Sequence, residues 1–424
     1  MQSASANRPD TQTGRSASVR FILLTLVIDS LGFGLVVPIT PSLVLQLSGM
    51  DVSGAANWVG LLVACFAAMQ FFCAPILGGL SDRFGRRPVL LISLAGSCAN
   101  YLLLAWAPSL TWLFLGRMIA GATAASASTA TAYIADVTPP AKRAGQFGLV
   151  GAAFGVGFVV GPAVGGMLGT YGLDVPFLAA AALAGCNALY GLFVLPESLP
   201  AASRRPIDWR RANPLGSVQV VLTNGPLTRL ALAWAAAWFA LGALQPTVVL
   251  ANHLRFGWDS SANGLALGYW GLGSALVQGV LVRRIVPRLG ERRSAMIGAS
   301  LAACGYMVMA VAPTPIFVFV AMTLQALAGI TNPAIQGMVS ASASADRQGE
   351  TQGALSSIQG LTAIVAPVIG SLVFAFFTGP ATPLMLPGAA FIGSALAYGL
   401  AVWAVSGVRV VRGPADITLG TQTD

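Results

Sequence analysis

The chain has 424 residues, of which 56% are hydrophobic and only 9% are charged, and its mean hydropathy is +0.76. About a quarter of the residues of a soluble globular protein are charged, so lipid and other apolar side chains must surround most of this chain. The net charge of +9 fits basic cytoplasmic loops better than nucleic-acid binding. Its one histidine and five cysteines show no metal-ligand spacing. We therefore expect a membrane protein that is not an enzyme and needs no metal or cofactor.

Twelve apolar runs are long enough to cross a bilayer as helices, which takes about 20 residues. They form two groups of six, separated by a polar stretch. Spans 1 to 6 are predicted at 21–46, 57–80, 88–107, 110–133, 144–168 and 176–196. Spans 7 to 12 are predicted at 229–251, 263–285, 294–312, 315–338, 352–376 and 384–406. The predicted fold is all-α and membrane-integral, with twelve transmembrane helices in two pseudo-symmetric six-helix halves.

The basic residues orient these spans. All but two of the 23 Lys and Arg residues lie in the tails or in the loops that follow even-numbered spans. Because basic loops stay in the cytoplasm, both termini are predicted to be cytoplasmic. The predicted division is a cytoplasmic N-tail (1–18), a six-helix bundle (19–196), a cytoplasmic linker (197–228), a second bundle (229–406) and a cytoplasmic C-tail (407–424).

The two halves also repeat in sequence. The segment 82–87 has a counterpart at 287–292, and Gly161-Pro162 has one at Ala366-Pro367. Both pairs are separated by 205 residues. Two landmarks at one offset indicate duplication of a six-helix unit, an architecture that suits a central site with alternating access.

The loop between spans 2 and 3 carries the string GGLSDRFGRRP at 78–88. Gly85 allows the chain to reverse, and Asp82 offers a carboxylate to a basic partner or a helix end. Asp136, at the end of span 4, is expected to form a structural salt bridge. We predict a conformational gate made of Gly78, Asp82, Arg83, Gly85, Arg86, Arg87 and Asp136. The string resembles the loop 2–3 signature of the major facilitator superfamily, which implies that Asp82 helps to lock the outward-facing state.

Span 5 carries a regular set of small residues that fits the pattern G-x8-G-x3-GP-x2-GG. Its members are Gly148, Gly157, Gly161, Pro162, Gly165 and Gly166. Small residues let helices approach closely, and proline bends a helix. The pattern resembles the antiporter motif of the drug:proton exchangers in the same superfamily, and this resemblance favours export over uptake.

Two ionisable residues lie inside predicted spans, Asp29 in span 1 and Arg117 in span 4. Such residues are costly in the bilayer and are functional by default. We expect Asp29 to carry the transported proton and Arg117 to stabilise the charged form of a nearby carboxylate. The alternatives are a structural hydrogen bond for Asp29 and, for Arg117, a side chain that reaches the membrane surface. The residues expected to bind substrate are Asp29, Gln70, Asn100, Arg117, Gln245, Gln325, Asn332 and Gln336.

Segments 29–38, 78–91, 133–148, 151–166 and 193–198, with several shorter ones in the second half, resemble the tetracycline-efflux branch of these exchangers. That branch has intramembrane acids where this chain has Asn100 and Ala302. In the family those acids serve the cationic metal–tetracycline complex. Their absence predicts a neutral, zwitterionic or anionic substrate and makes Asp29 the main proton carrier.

The resemblance thus implies a proton-coupled secondary transporter in the cell inner membrane that exports a drug or metabolite, possession of which would confer antibiotic or multidrug resistance. The proton gradient supplies the energy, and we expect the protein to work as a monomer. Two alternatives stay open. One is a proton-coupled uptake symporter of the same fold, and the other is a non-transporting membrane scaffold, against which Asp29 and Arg117 argue.

Overall fold

The computed structural model describes residues 10–205, 221, 225–342, 348–380, 382 and 384–408. This part of the chain is helical and contains no strand. Within it, eleven helices are long and apolar enough to cross a membrane. The twelfth crossing, span 4, consists of two shorter helices on either side of residues 123–125. The predicted all-α fold with twelve spans is confirmed.

The helices are numbered by the span to which they belong. Those of the first half are α1a (Asp10–Val36), α1b (Thr40–Ser48), α2 (Val52–Phe84), α3 (Arg86–Ala105), α4a (Leu110–Ala122), α4b (Ser126–Val137), α5 (Pro140–Leu168) and α6 (Val175–Val194). Those of the second half are α7a (Gly225–Leu244), α7b (Val248–Phe256), α8 (Ser260–Leu289), α9 (Glu291–Val311), α10a (Pro315–Leu327), α10b (Thr331–Ser342), α11 (Gln348–Thr378) and α12 (Ala389–Ser406). Helix α8 includes a π-helical turn at Val277–Leu281, and a 3-10 turn at Ala328–Ile330 joins α10a to α10b.

Backbone details repeat between the halves beyond the landmarks visible in the sequence. Span 4 is interrupted at 123–125 and span 10 at 328–330, again 205 residues apart. Helices α1b and α7b both end at a glycine with positive φ, Gly49 at +62° and Gly257 at +65°. Glycine adopts this conformation without steric cost and commonly ends helices. The next helix then begins in each half with an aspartate N-cap, Asp51 or Asp259.

The first and seventh spans are bent where the sequence has proline. Turns at 37–39 and 245–247 interrupt the helices at Pro38 and Pro246. Proline lacks an N–H and its ring clashes with the preceding turn, so it breaks a helix interior. Span 1 was predicted as one crossing from 21 to 46 that Pro38 bends or breaks, and the structure divides it into α1a and α1b. Most of the predicted linker (197–228) lies outside the described residues, as do 1–9 and 409–424.

The two halves touch mainly along two pairs of helices, α2 with α11 and α5 with α8, with smaller contacts of α7b with α1b and α2. One apolar core cluster runs through both halves at the end of the molecule away from the basic loops and includes Ile39 and Val248. Near the basic loops the cores are separate, with one around Leu90 in the first half and another around Leu230 in the second. The halves are therefore packed together at one end and apart at the end that carries the basic loops.

Glycines on these four helices show the same asymmetry. A Cβ placed on Gly264 of α8 would meet the backbone of Gly166 in α5 at 2.9 Å, and one on Gly60 of α2 would meet Pro367 O in α11 at 2.8 Å. These contacts lie toward the end with few basic residues. Toward the basic end, Gly151 of α5 has no atom within 4 Å of such a Cβ.

Candidate functional site

Asp29 lies in the middle of α1a and is half-buried. Its Oδ2 accepts a hydrogen bond of 2.5 Å from the hydroxyl of Ser126, the first residue of α4b. The next residue in α1a, Ser30, donates to the Ala153 carbonyl of α5 at 3.2 Å. These contacts hold the carboxylate between α1a and the break in span 4.

The break in span 4 is stabilised by side chains inside the bundle. The Thr123 hydroxyl bonds to the Ile119 carbonyl at 2.8 Å, a local bond that competes with helix continuation. From α3, the Ser93 hydroxyl donates to the Thr123 carbonyl and accepts the Ala125 N–H, the latter at 3.1 Å. Non-helical backbone at membrane depth is tolerated where protein groups satisfy it, and Ser93 satisfies both groups here.

Arg117 lies on α4a and is half-buried. In the amide orientation that satisfies both polar groups, Asn100 accepts from Arg117 Nη2 at 3.2 Å and donates to the Gly116 carbonyl at 2.9 Å. The guanidinium carbon lies 5.9 Å from the centre of the Phe66 ring, within range of a cation–π contact. Its Nε is buried without a hydrogen-bond partner. Arg117 is thus held by neutral groups, and its positive charge is available to an anionic group.

Asp29 and Arg117 are not paired directly. The two ion pairs found among the described residues both lie at the basic end of the first half. Buried Tyr101 of α3 lies in the neighbourhood of both Asp29 and Arg117. Its hydroxyl packs against Gly32, one turn after Asp29, where a Cβ would lie 3.3 Å from the oxygen. Sequence reasoning missed Tyr101, although a tyrosine next to Asn100 in an apolar span was a usable signal.

The remaining polar candidates are spread over both halves. Gln70 and Gln245 are exposed. In the second half, Gln325 Nε2 and Asn332 Oδ1 are buried without hydrogen-bond partners. Gln336 donates to Gln352 at 3.2 Å. Buried polar groups normally have hydrogen-bond partners. Gln325 in α10a and Asn332 in α10b are therefore the candidates best suited to form a hydrogen bond with a ligand.

The predicted gate forms a network at the basic end of the first half. Arg86 bonds to Asp82 at 2.5 Å and to Asp136 at 3.1 Å, so the salt bridge predicted for Asp136 is present. Glu197, which sequence reasoning did not include in the gate, accepts the backbone N–H of Arg86 at 2.8 Å. It thereby caps the N-terminus of α3, where a negative charge is favourable. Gly85, with φ of +110°, leaves the space that the Glu197 carboxylate occupies.

The other predicted gate residues lie at the edge of this network. Arg87 donates to the Leu192 carbonyl at 2.5 Å, which ties α3 to the end of α6. The Arg83 guanidinium carbon lies 5.2 Å from the centre of the Phe84 ring. Gly78 has open space around it. Among the residues that the structure describes, all these contacts stay within the first half.

Five of the six antiporter-motif residues pack where α5 meets other helices. A Cβ on Gly161 would lie 2.6 Å from Gly34 Cα in α1a, and one on Gly157 would meet Ser30. Pro162 lies in the same contact, since its ring faces Gly34. The sixth, Gly148, has no neighbour within 4 Å.

The last two glycines of the motif complete this packing. Gly165 packs on the Leu35 carbonyl, and Gly166 packs on Ser260 and Gly264 of α8. The glycine pattern therefore fixes α5 against the helix that carries Asp29, and its end joins the two halves.

Two duplicated six-helix bundles with ionisable side chains at mid-membrane define a multi-pass membrane transporter. The described residues contain no cluster of His, Cys, Asp and Glu that could hold a metal ion. The family profile of the Major Facilitator Superfamily matches residues 22–315 and 255–418. The tetracycline resistance protein of class C from Escherichia coli is 41% identical over 356 residues, which is 84% of this chain and 89% of that protein.

Two solved structures extend the comparison. A human organic anion transporter called TETRAN is 25% identical, with a TM-score of 0.69 over 94% of this chain and all of that one. The nucleoside transporter NupG is 15% identical, with a TM-score of 0.74 over 93% of this chain and 99% of that one, and shares the fold. The chain belongs to the Major Facilitator Superfamily and, within it, groups with the tetracycline resistance proteins, which are transporters and not enzymes.

Proposed function

We propose that the protein exports a small organic molecule across the inner membrane in exchange for protons, as a tetracycline-efflux-like antiporter. The observation that carries this proposal is the position of Asp29 between α1a and the broken span 4, where Ser126 binds its carboxylate. The helix 5 glycine pattern, packed against the same helix, supports exchange over uptake. A symporter of the same fold is the less favoured candidate.

The proposed orientation follows from the charges. If the basic loops face the cytoplasm, the halves are closed at the periplasmic end and apart at the cytoplasmic end. The conformation is then inward-facing, the state in which an exporter loads its substrate and releases a proton inside. The two cytoplasmic tails, two bundles and cytoplasmic linker predicted above remain part of this proposal, as does a monomer that needs no cofactor.

The substrate is proposed to carry an acidic or neutral polar group in place of a net positive charge. Asn100 and Ala302 are both buried, and neither supplies a carboxylate to a cation. Within the described part of the chain, Arg117 contacts the Asn100 amide and the Phe66 ring, and a positive charge in a protein interior favours an anionic partner. Tetracycline, which names the relatives, is therefore one test compound among several.

Transport into inverted membrane vesicles tests the direction. With the vesicle interior acidified, an exporter accumulates substrate in vesicles, and an uncoupler abolishes the accumulation. Vesicles containing Asp29→Asn serve as the matched control. Accumulation only when the gradient is reversed would support the symporter and contradict export. A resistance profile in cells that lack their major pumps then identifies the compounds to use.

A further inference from the structure

We propose that Ser126 is a positioning residue for proton exchange, which holds the charged Asp29 carboxylate at the start of α4b while the transporter faces inward. The inference rests on the proposed role of Asp29 as proton carrier. It adds a residue outside the predicted site and a reason why span 4 is broken at this depth.

The contact itself is short and specific. The Ser126 hydroxyl donates to Asp29 Oδ2 at 2.5 Å, a distance typical of a hydrogen bond from a hydroxyl to a charged carboxylate. Ser126 is buried, with 8% of its surface exposed. As the first residue of α4b it also lies at the positive end of a helix dipole, which favours a negative charge.

The break in span 4 is what brings the hydroxyl to this place. Ser93 bonds both sides of the break, at the Thr123 carbonyl and the Ala125 N–H. Gly96 gives Thr123 room, because a Cβ there would meet the threonine side chain. In an unbroken helix the Ser126 hydroxyl would usually return to a carbonyl of its own preceding turn.

The second half provides an internal comparison. Thr331 begins α10b, 205 residues after Ser126, and follows the corresponding break. Its hydroxyl donates to the Ala328 carbonyl at 2.7 Å, three residues earlier in the 3-10 turn that precedes α10b. Ser128, two residues after Ser126, likewise donates to the Ala125 carbonyl at 3.2 Å. Hydroxyls at the starts of these helices thus bond locally by default, and Ser126 differs because Asp29 faces it.

Few other charged or titratable groups face Asp29. Tyr101 of α3 lies near it, and Arg117 of α4a lies near the same tyrosine. Helix α5 presents Ala153 to Ser30, and α6 presents a neutral amide to the earlier part of α1a. The hydroxyl of Ser126 is therefore the direct hydrogen-bond donor to the carboxylate among the described residues.

The proposed consequence concerns the exchange cycle. A hydrogen bond to a carboxylate stabilises the charged form relative to the neutral acid. With Ser126 in place, Asp29 releases its proton to the cytoplasm in the inward-facing state. It then stays charged until the transporter faces outward, where it can take up the next proton. Without the hydroxyl, release requires a higher cytoplasmic pH, and exchange slows at the pH where the native protein is fastest.

The test compares Ser126→Ala, Ser126→Thr and the control Ser128→Ala in proteoliposomes, with exchange rates measured against internal and external pH. We expect Ser126→Ala to move the pH midpoint of exchange by about one unit toward alkaline pH, with a smaller effect on the KM for substrate than on kcat. Ser126→Thr retains a hydroxyl and should restore the native profile. Ser128→Ala should behave as the native protein does.

An identical pH profile for Ser126→Ala and Ser128→Ala would overturn the inference. If Ser126→Ala does not fold, Ser126→Cys, a weaker donor, should show a shift in the same direction, and a native profile for that variant would also overturn it. Asp29→Asn separates the two proposals. Continued proton exchange by Asp29→Asn contradicts the proposed function, whereas its loss together with an unchanged Ser126→Ala profile contradicts only the role of Ser126.

Discussion

Replacement of Gly161 by alanine tests the close packing of α5 on the helix that carries Asp29. An added Cβ would lie 2.6 Å from Gly34 Cα and 3.0 Å from the Leu31 carbonyl oxygen. Non-bonded carbons pack best at about 3.5–4.0 Å, so the two helices would have to separate by about 1 Å. Both obstacles are backbone atoms and cannot rotate away. Overpacking of this kind costs about 1–3 kcal/mol.

The matched control is Gly151→Ala in the same helix, where a Cβ meets nothing within 4 Å. Both changes replace glycine by alanine inside a helix and gain the same intrinsic propensity of about 1 kcal/mol. Their difference therefore reports the packing cost at residue 161 together with the restriction that Pro162 places on the residue before it. Thermal unfolding of the purified proteins in detergent should give Gly161→Ala a lower midpoint than Gly151→Ala, and exchange activity should fall with it. Equal midpoints and equal activities would refute the packing argument.

Three further predictions follow from contacts in the structure. The hydroxyl oxygens of Ser42 and Ser260 lie 3.3 Å apart across the closed end. The double variant Ser42→Cys, Ser260→Cys should form a disulfide there and stop transport until it is reduced. Native transport by the oxidised protein would contradict opening at this end. Glu197→Gln should lower the unfolding midpoint, since the charged helix cap contributes about 1 kcal/mol; an unchanged midpoint would count against the cap. The new carboxylate in Asn100→Asp should pair with Arg117 and reduce export of anionic substrates more than export of uncharged ones, measured in inverted vesicles. An equal loss of export for anionic and uncharged substrates would contradict a role for Arg117 in binding anions.

The spans and their duplication could be predicted because apolar runs, basic loops and repeated segments can be recognised in the sequence. The length of an apolar run matches the thickness of the bilayer, and the positions of basic residues indicate which loops are cytoplasmic. The offset between the segments at 82–87 and 287–292 indicated the repeat, and the breaks in spans 4 and 10 keep the same offset. The proline bend at Pro38 was also visible, since proline acts locally on the backbone.

The break in span 4 could not be predicted from its own sequence. Residues 123–125 contain neither proline nor glycine, and the interruption depends on Ser93, which belongs to another helix. The same reason explains why Ser126 escaped notice. Its importance comes from facing Asp29 across 97 positions of sequence, and hydropathy carries no signal for such a contact.

The sequence predicted three charged residues of the gate but missed a fourth, Glu197. Arg86, Asp82 and Asp136 form the expected charged network. These residues could be predicted because charged residues at the ends of apolar spans are evident in the sequence. Glu197 was assigned to the linker because it follows the last apolar residue of span 6. Only the fold brings its carboxylate to the N-terminus of α3, more than 100 positions earlier.

The role of Asp29 as proton carrier is tested most simply by the number of protons that Asp29→Asn exchanges per substrate molecule in proteoliposomes. A pH-sensitive dye inside the vesicles reports proton movement while labelled substrate reports transport. We predict that the native protein moves protons in the direction opposite to the substrate, and that Asp29→Asn still binds substrate but moves no protons in exchange for it. Substrate-driven proton movement by Asp29→Asn at the native ratio would contradict the assignment of Asp29 as the proton carrier.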